Sequence, residues 1–313
     1  MKTVPLGDSG IQVSEFGLGT MMLGTLVSKE MSFRILDEYV AAGGSYLDTA
    51  NMYAHWMPGG KGGESETLLG EWMQTRKNRS QMLVATKVGV EYPGVQRGLK
   101  AAWIEVECEK SLKRLGVETI DLYYAHADDR NTPLEEPLEV FDRLVRVGKV
   151  RYIAASNMLA WRLAQARMLS QMRGWPRYCA IQQRLSYVRP KPGTDFGTQI
   201  AVNDDLLDYC RSEGVRLFCY MPLLAGAYNQ PEPKFSEQYR GADTDARMAV
   251  LRAVAGEVGA TPIQVVLAWM RHHDPQLIPL VAAETVGQMK ENLGALEITL
   301  SPEQMARLND ARG

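Results

Sequence analysis

The chain has 313 residues, and its 45% hydrophobic content is enough for a sizeable core in either one large α/β barrel or two average domains. The formal net charge is −2 without any Lys/Arg block, so neither nucleic acid nor an anionic membrane surface is indicated as a partner. Residues 1–5 lack the apolar core of a signal peptide, and no run of 18 apolar residues occurs. We therefore expect a globular protein of the cytoplasm.

Four cysteines lie far apart and form no CxxC pair: Cys108, Cys179, Cys210 and Cys219. We expect buried thiols in a reducing compartment rather than a disulfide or a metal site. The pair His272 and His273 follows a helical pattern, where imidazole meets the helix dipole, so no metal is expected there either.

The first elements of the chain are short. Residues 4–6 and 11–13 flank a glycine-bearing turn and predict a β-hairpin that plugs one end of a barrel. Residues 16–21 predict a strand with two glycines, which suggests that a ligand approaches the backbone there. This segment is not a dinucleotide-binding glycine motif, because no third glycine or helix follows in register.

Strands and helices then alternate without a linker or a change of composition. Strands are predicted near residues 16, 46, 84, 122, 153, 181, 217 and 279. Helices are predicted over residues 28–43, 66–75, 99–115, 133–148, 159–172, 204–212 and 245–269. Regular βα alternation predicts one (β/α)8 TIM barrel, with residues 1–313 forming a single domain.

Three successive predicted strands end on residues suited to chemistry. Asp48 ends one, Lys87 ends the next and His126 ends the third, while Tyr53 follows Asp48 by five residues in a polar loop. A buried carboxylate needs a partner such as Lys87. Because active sites of parallel barrels lie at the carboxyl ends of the strands, these four side chains should share one place.

The four side chains suit reduction of a carbonyl group. A phenol has a pKa near 10, so Tyr53 exchanges protons poorly at neutral pH until a cation such as Lys87 stabilises its phenolate. Asp48 would keep Lys87 charged, and His126 would donate to a substrate oxygen that gains negative charge as hydride arrives. Singly, these residues also fit a helix cap, a solvated strand end, a loop anchor and a structural histidine; their joint occurrence favours the catalytic interpretation.

Six segments, in order along nearly the whole chain, resemble an aldo-keto reductase. They are LDTANMY (47–53), ATKVG (85–89), DLYYAH (121–126), AASN (154–157), CYMPLLAG (219–226) and QMKENLGAL (288–296). The resemblance implies a TIM barrel in which Tyr53 is the general acid/base, Asp48 and Lys87 adjust its pKa, and His126 orients the carbonyl.

The resemblance also implies an extended NAD(P)H cofactor. Its carboxamide would bind Ser156, Asn157 and Gln182, and its nicotinamide ring would stack on Tyr220. The pyrophosphate would meet Met221, Pro222, Leu223, Ala225 and Gly226. The adenosine end would meet Ala283, Glu284, Thr285, Gln288, Glu291 and Asn292. The remaining expected contacts are Gly19, Thr20, Met21 and Asp48.

The adenosine end departs from the family pattern. Residues 280–285 contain no basic residue, whereas relatives place Lys or Arg about here to pair with a 2′-phosphate. Glu284 would repel a phosphate and could accept a hydrogen bond from a 2′-hydroxyl, so the sequence favours NAD over NADP. The alternative is that Glu284 points to solvent and Lys290 reaches the phosphate.

A second departure is the long loop 54–64 beside Tyr53, at a position where loops set specificity. His55 and Trp56 offer a donor and a large aromatic face, which suit a sugar ring. Together with Tyr53 and His126 they are the expected substrate contacts. The alternative is that Trp56 only packs the loop down.

The sequence therefore predicts an NAD(P)-dependent oxidoreductase acting on a small carbonyl or alcohol substrate, in particular a sugar or polyol. Two other functions stay open: a cofactor-binding regulatory subunit with little turnover, and a Schiff-base lyase with Lys87 as nucleophile. Asp48 argues against the lyase, because a nucleophilic lysine must be neutral. The oligomeric state is not predicted.

Overall fold

The computed structural model describes residues 1–313 and begins with a hairpin. Strand β1 (Thr3–Pro5) pairs antiparallel with β2 (Gln12–Ser14). Val4 and Val13 are buried in a cluster with residues that begin the barrel strands. Arg216, the first residue of one such strand, donates a 2.8 Å hydrogen bond to the Pro5 carbonyl oxygen. The hairpin thus closes the amino end of the barrel, which confirms the predicted plug.

Eight parallel strands close on themselves after the hairpin. They are β3 (Gly17–Gly19), β4 (Tyr46–Asp48), β5 (Leu83–Val88), β6 (Ile120–Ala125), β7 (Val150–Ser156), β8 (Ala180–Arg184), β9 (Arg216–Tyr220) and β10 (Leu277–Val281). Strand β10 pairs with β3 to close the ring. The TIM barrel prediction is confirmed, and all eight carboxyl ends open on one face.

Helices surround the barrel. They are α1 (Lys29–Ala41), α2 (Glu64–Arg76), α3 (Ala101–Leu115), α4 (Glu135–Arg146), α5 (Ala160–Arg173), α6 (Asp204–Glu213), α7 (Ala242–Val258), α8 (Pro262–His272), α9 (Val286–Gly294) and α10 (Pro302–Asp310). Ser28 caps α1 as predicted, because its hydroxyl accepts a hydrogen bond from the Met31 N–H. No single helix is long and apolar enough to span a membrane, although α7 and α8, bent by 93°, pass that test as a pair.

The predicted helix over residues 245–269 is wrong, because two helices occupy this region. Helix α7 ends at Val258, and Gly259 after it has a left-handed φ of 65°. Thr261 then caps α8 in a capping box with Gln264, and Pro262 takes the first position, where its missing N–H costs nothing. Helix α10 was not predicted either.

The strand alternation sorts the side chains between two environments. Leu47 and Val84 point outward and join the large core beneath the helices. Tyr46 and Leu83 point inward and join the cluster that the hairpin covers. Inward positions recur every second residue along a strand. The inward side chains that follow these apolar residues therefore lie at the carboxyl end of the barrel.

Candidate active site

The inward positions at the carboxyl end are polar. Asp48 follows Tyr46 by two residues on β4, and Lys87 follows Leu83 by four on β5, so both side chains point into the barrel. The Lys87 Nζ lies 2.6 Å from Asp48 Oδ2 and 2.7 Å from the Thr49 carbonyl oxygen. Both side chains are buried, so the two charges form a buried ion pair.

Tyr53 completes the contacts of Lys87. Its hydroxyl lies 3.0 Å from Lys87 Nζ, which therefore donates to three oxygens and leaves none of its hydrogens without a partner. His126 lies beside Tyr53, with a ring-centroid distance of 6.1 Å. The four side chains that the sequence assigned to one place are thus brought together.

Burial and charge act in opposite directions on the ion pair. Burial raises the pKa of the Asp48 carboxyl, and Lys87 opposes this increase. Burial also acts to lower the pKa of Lys87, but Asp48 and Tyr53 outweigh it, so the pKa of the ammonium is raised. Lys87 accordingly stays a cation at neutral pH.

The two proton-bearing groups beside the pair are both neutral at pH 7. Burial raises the pKa of the Tyr53 phenol, and the opposing effect of Lys87 is smaller. Burial, with Lys87 next, holds the pKa of His126 well below its ordinary value. The His126 Nδ1 is buried without a hydrogen-bond partner, so the ring has unused polar capacity.

Amide and hydroxyl groups lie next to these side chains, where the resemblance expects a carboxamide. Gln182 Nε2 donates to Asp48 Oδ1 at 2.8 Å. The Tyr220 hydroxyl lies 2.7 Å from Asn157 Oδ1, and Asn157 Nδ2 lies 3.1 Å from the hydroxyl of Ser156. These neutral donors and acceptors fit the hydrogen-bonding pattern of an amide ligand.

The segment after β9 is a tight loop with an unusual backbone conformation. Leu223 is right-handed, and Leu224, Ala225 and Gly226 are left-handed with φ of 45°, 55° and 81°. The Gly226 N–H donates to the Leu223 carbonyl oxygen at 2.9 Å, and the Leu224 N–H donates to the Met221 carbonyl oxygen at 3.4 Å. The non-glycine residues in this conformation are strained, and such strain occurs most often at functional sites.

Packing explains only one of the two glycines of β3. A Cβ on Gly17 would lie 2.6 Å from Leu280 and 2.8 Å from Tyr46, so packing explains this glycine. A Cβ on Gly19 would make only ordinary van der Waals contacts, so packing does not require a glycine at this position. Thr20 is fully buried, and its hydroxyl contacts the Asp48 carbonyl oxygen at 2.8 Å, which makes it a support for the end of β4. Met21 is exposed.

The expected adenosine contacts cluster at the amino end of α9. Thr285 caps this helix by accepting from the Gln288 N–H, and the Gln288 side chain accepts from the Glu284 N–H at 2.7 Å. Glu284 is exposed. The Lys290 Nζ lies 3.8 Å from the carboxylate of Glu38 on α1. Of the other three expected residues, Ala283 and Asn292 are buried and Glu291 accepts from Asn229.

The long loop holds Trp56 over the mouth of the barrel. The Trp56 ring packs edge-on against Tyr53 at 6.2 Å and against His55 at 5.1 Å, and the residue is 45% exposed. The His55 Nδ1 lies 2.9 Å from the Met52 carbonyl oxygen, so one ring nitrogen is used within the loop. The Trp56 side chain is therefore both packed and accessible.

Residues 15–312 match the model of the aldo/keto reductase family. The chain belongs to the aldo/keto reductase family. Aldo-keto reductases are NAD(P)-dependent oxidoreductases of carbonyl compounds, and this protein is one of them.

Similar aldo-keto reductases and other oxidoreductases come from fungi and bacteria. Norsolorinic acid reductase stcV of Emericella nidulans is 32% identical over 96% of this chain and 79% of its own. The uncharacterized oxidoreductase YrpG of Bacillus subtilis is 30% identical over 99% and 95%. The aryl-alcohol dehydrogenase (NADP(+)) of Phanerodontia chrysosporium is 31% identical over 96% and 83%.

A solved aldo-keto reductase structure has the same fold. The thermostable aldo-keto reductase Tm1743, in complex with the inhibitor epalrestat, superposes with a TM-score of 0.80 at 28% identity. The alignment covers 99% of this chain and all of the other.

Several residues that hold the side chains of this aldo-keto reductase site in place are not predicted from the sequence. The Thr49 carbonyl oxygen binds Lys87, and the Ser65 hydroxyl contacts both Thr20 and Thr49 at 2.9 Å. Backbone acceptors carry no sequence signal, and a lone serine at the start of a helix resembles an ordinary cap. No three His, Cys, Asp or Glu side chains meet as a metal site, and all four cysteines are buried and free.

The buried ion pair makes a prediction about stability. In Asp48→Asn the ammonium of Lys87 loses its counter-ion, so we expect the free energy of unfolding in urea to fall by about 3–5 kcal/mol. The control Glu71→Gln breaks the exposed pair between Glu71 and Lys29 and should cost under about 1 kcal/mol. Equal losses in the two variants would contradict a strongly coupled pair.

Proposed function

We propose that Tyr53 is the general acid/base of a carbonyl reductase, with Asp48, Lys87 and His126 as its catalytic partners. The observation that carries this proposal is the 3.0 Å contact between the Tyr53 hydroxyl and a buried, charged Lys87. A phenol at this distance from an ammonium can give up its proton and leave a stabilised phenolate.

The pKa directions assign the roles in the reduction. Because burial raises the pKa of Tyr53, its hydroxyl is protonated at neutral pH and donates to the carbonyl oxygen as negative charge develops. Lys87 stabilises the phenolate that remains, and Asp48 orients Lys87. Neutral His126 donates a second hydrogen bond to the same oxygen, as an oxyanion hole does.

The cofactor supplies the hydride when it is bound. Ser156, Asn157 and Gln182 would hold its carboxamide, and the Tyr220 ring would lie against the nicotinamide. The loop of residues 221–226 would hold its pyrophosphate. Gln182 already donates to Asp48, so it would link the cofactor to the ion pair through its remaining amide atoms.

We propose that NAD is preferred over NADP. Glu284 is exposed at the start of α9 and no basic side chain contacts it there. The helix amino terminus would attract a phosphate, but the carboxylate of Glu284, one residue before the cap Thr285, would repel it. Lys290, on the next turn, is the residue that opposes this proposal.

The substrate class has two candidates. A sugar or polyol follows from the polar His55 beside the Trp56 face. An aromatic carbonyl is favoured by the apolar side chains exposed where the strands end, namely Met21, Trp56 and Met221. Among the relatives, the name of the aryl-alcohol dehydrogenase specifies an aryl substrate. We therefore propose the aromatic carbonyl first and the sugar or polyol second.

The barrel strands extend from residue 17 to residue 281 without an intervening linker. We propose on this basis that residues 1–313 form one domain. Location in the cytoplasm stays a prediction from the sequence.

Tyr53→Phe tests the proton donor. We expect kcat for carbonyl reduction to fall by about 10²–10⁴-fold, because only the hydroxyl is removed, while the Kd of the cofactor stays unchanged. In the wild type, kcat for reduction should be level through neutral pH and fall as the pH rises past the raised pKa of Tyr53. Tyr178→Phe, which removes a buried hydroxyl without a partner, is the control. Retained activity in Tyr53→Phe, or no turnover of any carbonyl by the wild type, would overturn the proposal.

Glu284→Arg tests the cofactor preference. Fluorescence titration should show tighter NADH than NADPH binding in the wild type, and a shift of roughly tenfold toward NADPH in the variant, because a repulsion is replaced by an attraction. Glu303→Arg makes the same charge change on the exposed side of α10. An unchanged ratio of the two Kd values would remove Glu284 from the explanation.

Trp56→Ala tests the substrate class. Wild-type kcat/KM is compared across a panel containing 4-nitrobenzaldehyde, acetophenone, D-xylose and D-glucose. We expect the aryl compounds to be reduced fastest and their KM to rise roughly three- to tenfold in the variant, because ring contacts are lost. Trp175→Ala, between α5 and the amino end of β8, is the matched control. Faster turnover of the sugars would favour the second candidate.

A further inference from the structure

A buried carboxylate lies outside the catalytic group, on the surrounding helix α3. Glu107 Oε2 accepts from Asn51 Nδ2 at 2.7 Å and from the Tyr92 hydroxyl at 2.5 Å. Glu107 Oε1 accepts from Lys110 Nζ at 2.8 Å. Burial acts to raise the pKa of Glu107, but the hydrogen bonds from Lys110, Tyr92 and Asn51 outweigh it and the pKa is lowered. Glu107 is therefore an anion that binds three donors.

Asn51 connects this carboxylate to the catalytic loop. It lies between Asp48 and Tyr53, and its backbone N–H donates to the Lys87 carbonyl oxygen at 3.3 Å. The side chain is fully buried, Oδ1 has no partner, and Nδ2 bonds only to Glu107. A single contact thus sets the orientation of a buried amide two residues before Tyr53.

Tyr92 connects the same carboxylate to the far end of the loop. A Cβ added to Gly62 would lie 2.6 Å from the Tyr92 ring and 3.1 Å from the Asn51 carbonyl oxygen. Gly62 is left-handed, with φ of 87°, and packs directly against both residues. The loop that carries Tyr53 and Trp56 is therefore held at its start by Asn51 and at its end through Tyr92.

We propose that Glu107 is a positioning residue for catalysis: by binding Asn51 and Tyr92 with one oxygen, it holds the loop that places the Tyr53 hydroxyl against Lys87. This inference rests on the proposed role of Tyr53. Glu107 touches no reacting atom, so its effect passes through Asn51 and Tyr92. A displacement of about 1 Å at a catalytic group can cost about 10²-fold in rate, which is the scale expected here.

A role in folding alone is the competing explanation for this network. It predicts a lower melting temperature with normal kcat in the protein that remains folded. Positioning predicts a loss of kcat in folded protein, with cofactor binding intact, since the expected cofactor contacts lie on other elements. The two explanations are thus separated by kcat rather than by stability.

The experiment compares Glu107→Ala, Glu107→Gln, Asn51→Ala and the double variant Asn51→Ala/Glu107→Ala, each checked for native circular dichroism at the assay temperature. The assay uses the carbonyl compound from the panel above that the wild type reduces fastest, with the more tightly bound of NADH and NADPH. Glu109→Ala removes an exposed carboxylate on the same helix that pairs with Lys149, and it serves as the matched control.

We expect Glu107→Ala and Asn51→Ala each to lower kcat by about 10–100-fold with the cofactor Kd within twofold of the wild type. Glu107→Gln keeps an acceptor for Asn51 and Tyr92 and should recover most of kcat. The double variant should be no slower than the slower single variant, because Glu107→Ala already removes the Asn51–Glu107 contact that Asn51→Ala breaks. If Glu107→Ala does not fold, Asn51→Ala, which leaves the Glu107 contacts with Tyr92 and Lys110, decides the question.

Normal kcat in folded Asn51→Ala, or a loss in Glu107→Ala no larger than in Glu109→Ala, would overturn the inference. So would losses that multiply in the double variant. Tyr53→Phe separates this failure from a failure of the proposed function. An inactive Tyr53→Phe with fully active Asn51→Ala rejects only the positioning role, whereas an active Tyr53→Phe rejects the catalytic assignment on which it rests.

Discussion

The ion pair between Asp48 and Lys87 is the interaction on which the active-site end of the barrel depends. Either charge alone would be costly at the buried end of a strand, and the pair is tolerated because its hydrogen-bonding groups find partners. Lys87 donates to Asp48, to the Thr49 backbone and to Tyr53. The same contacts that make the burial of a lysine possible therefore fix the position of a phenol beside a cation.

The interior of the barrel is divided along its axis, and this division supports the pair. Near the amino end the inward side chains, such as Tyr46 and Leu83, are packed beneath the hairpin. Beyond this layer, toward the carboxyl end, the inward side chains include the polar or charged Asp48 of β4, Lys87 of β5 and Gln182 of β8. An apolar layer directly below the pair keeps water away and strengthens the electrostatic interactions above it. The hairpin contributes to the site in this way without contacting it.

Support for the site also comes from the surrounding helices. Ser65 at the start of α2 contacts Thr20 and Thr49, and Glu107 of α3 binds Asn51. These residues fasten the strand ends and the loop that follows β4 to the outer ring. The placement of Tyr53 thus depends on side chains that are far from the reacting atoms, as is common when a catalytic group sits on a loop.

The eight βα units, the hairpin and the residues at the strand ends follow from local patterns, because periodicity and chain order suffice to place Asp48, Lys87 and His126 on one face of a parallel barrel. The break between α7 and α8 was also readable, since Gly259, Thr261 and Pro262 are strong boundary residues. Other features depend on contacts between residues distant in sequence. These are the Gln182–Asp48 bond, the Asn51–Glu107–Tyr92 network and the net rise in the pKa of Tyr53. Proximity and burial arise only when the barrel closes, and they decide which polar groups meet and how strongly each proton is held.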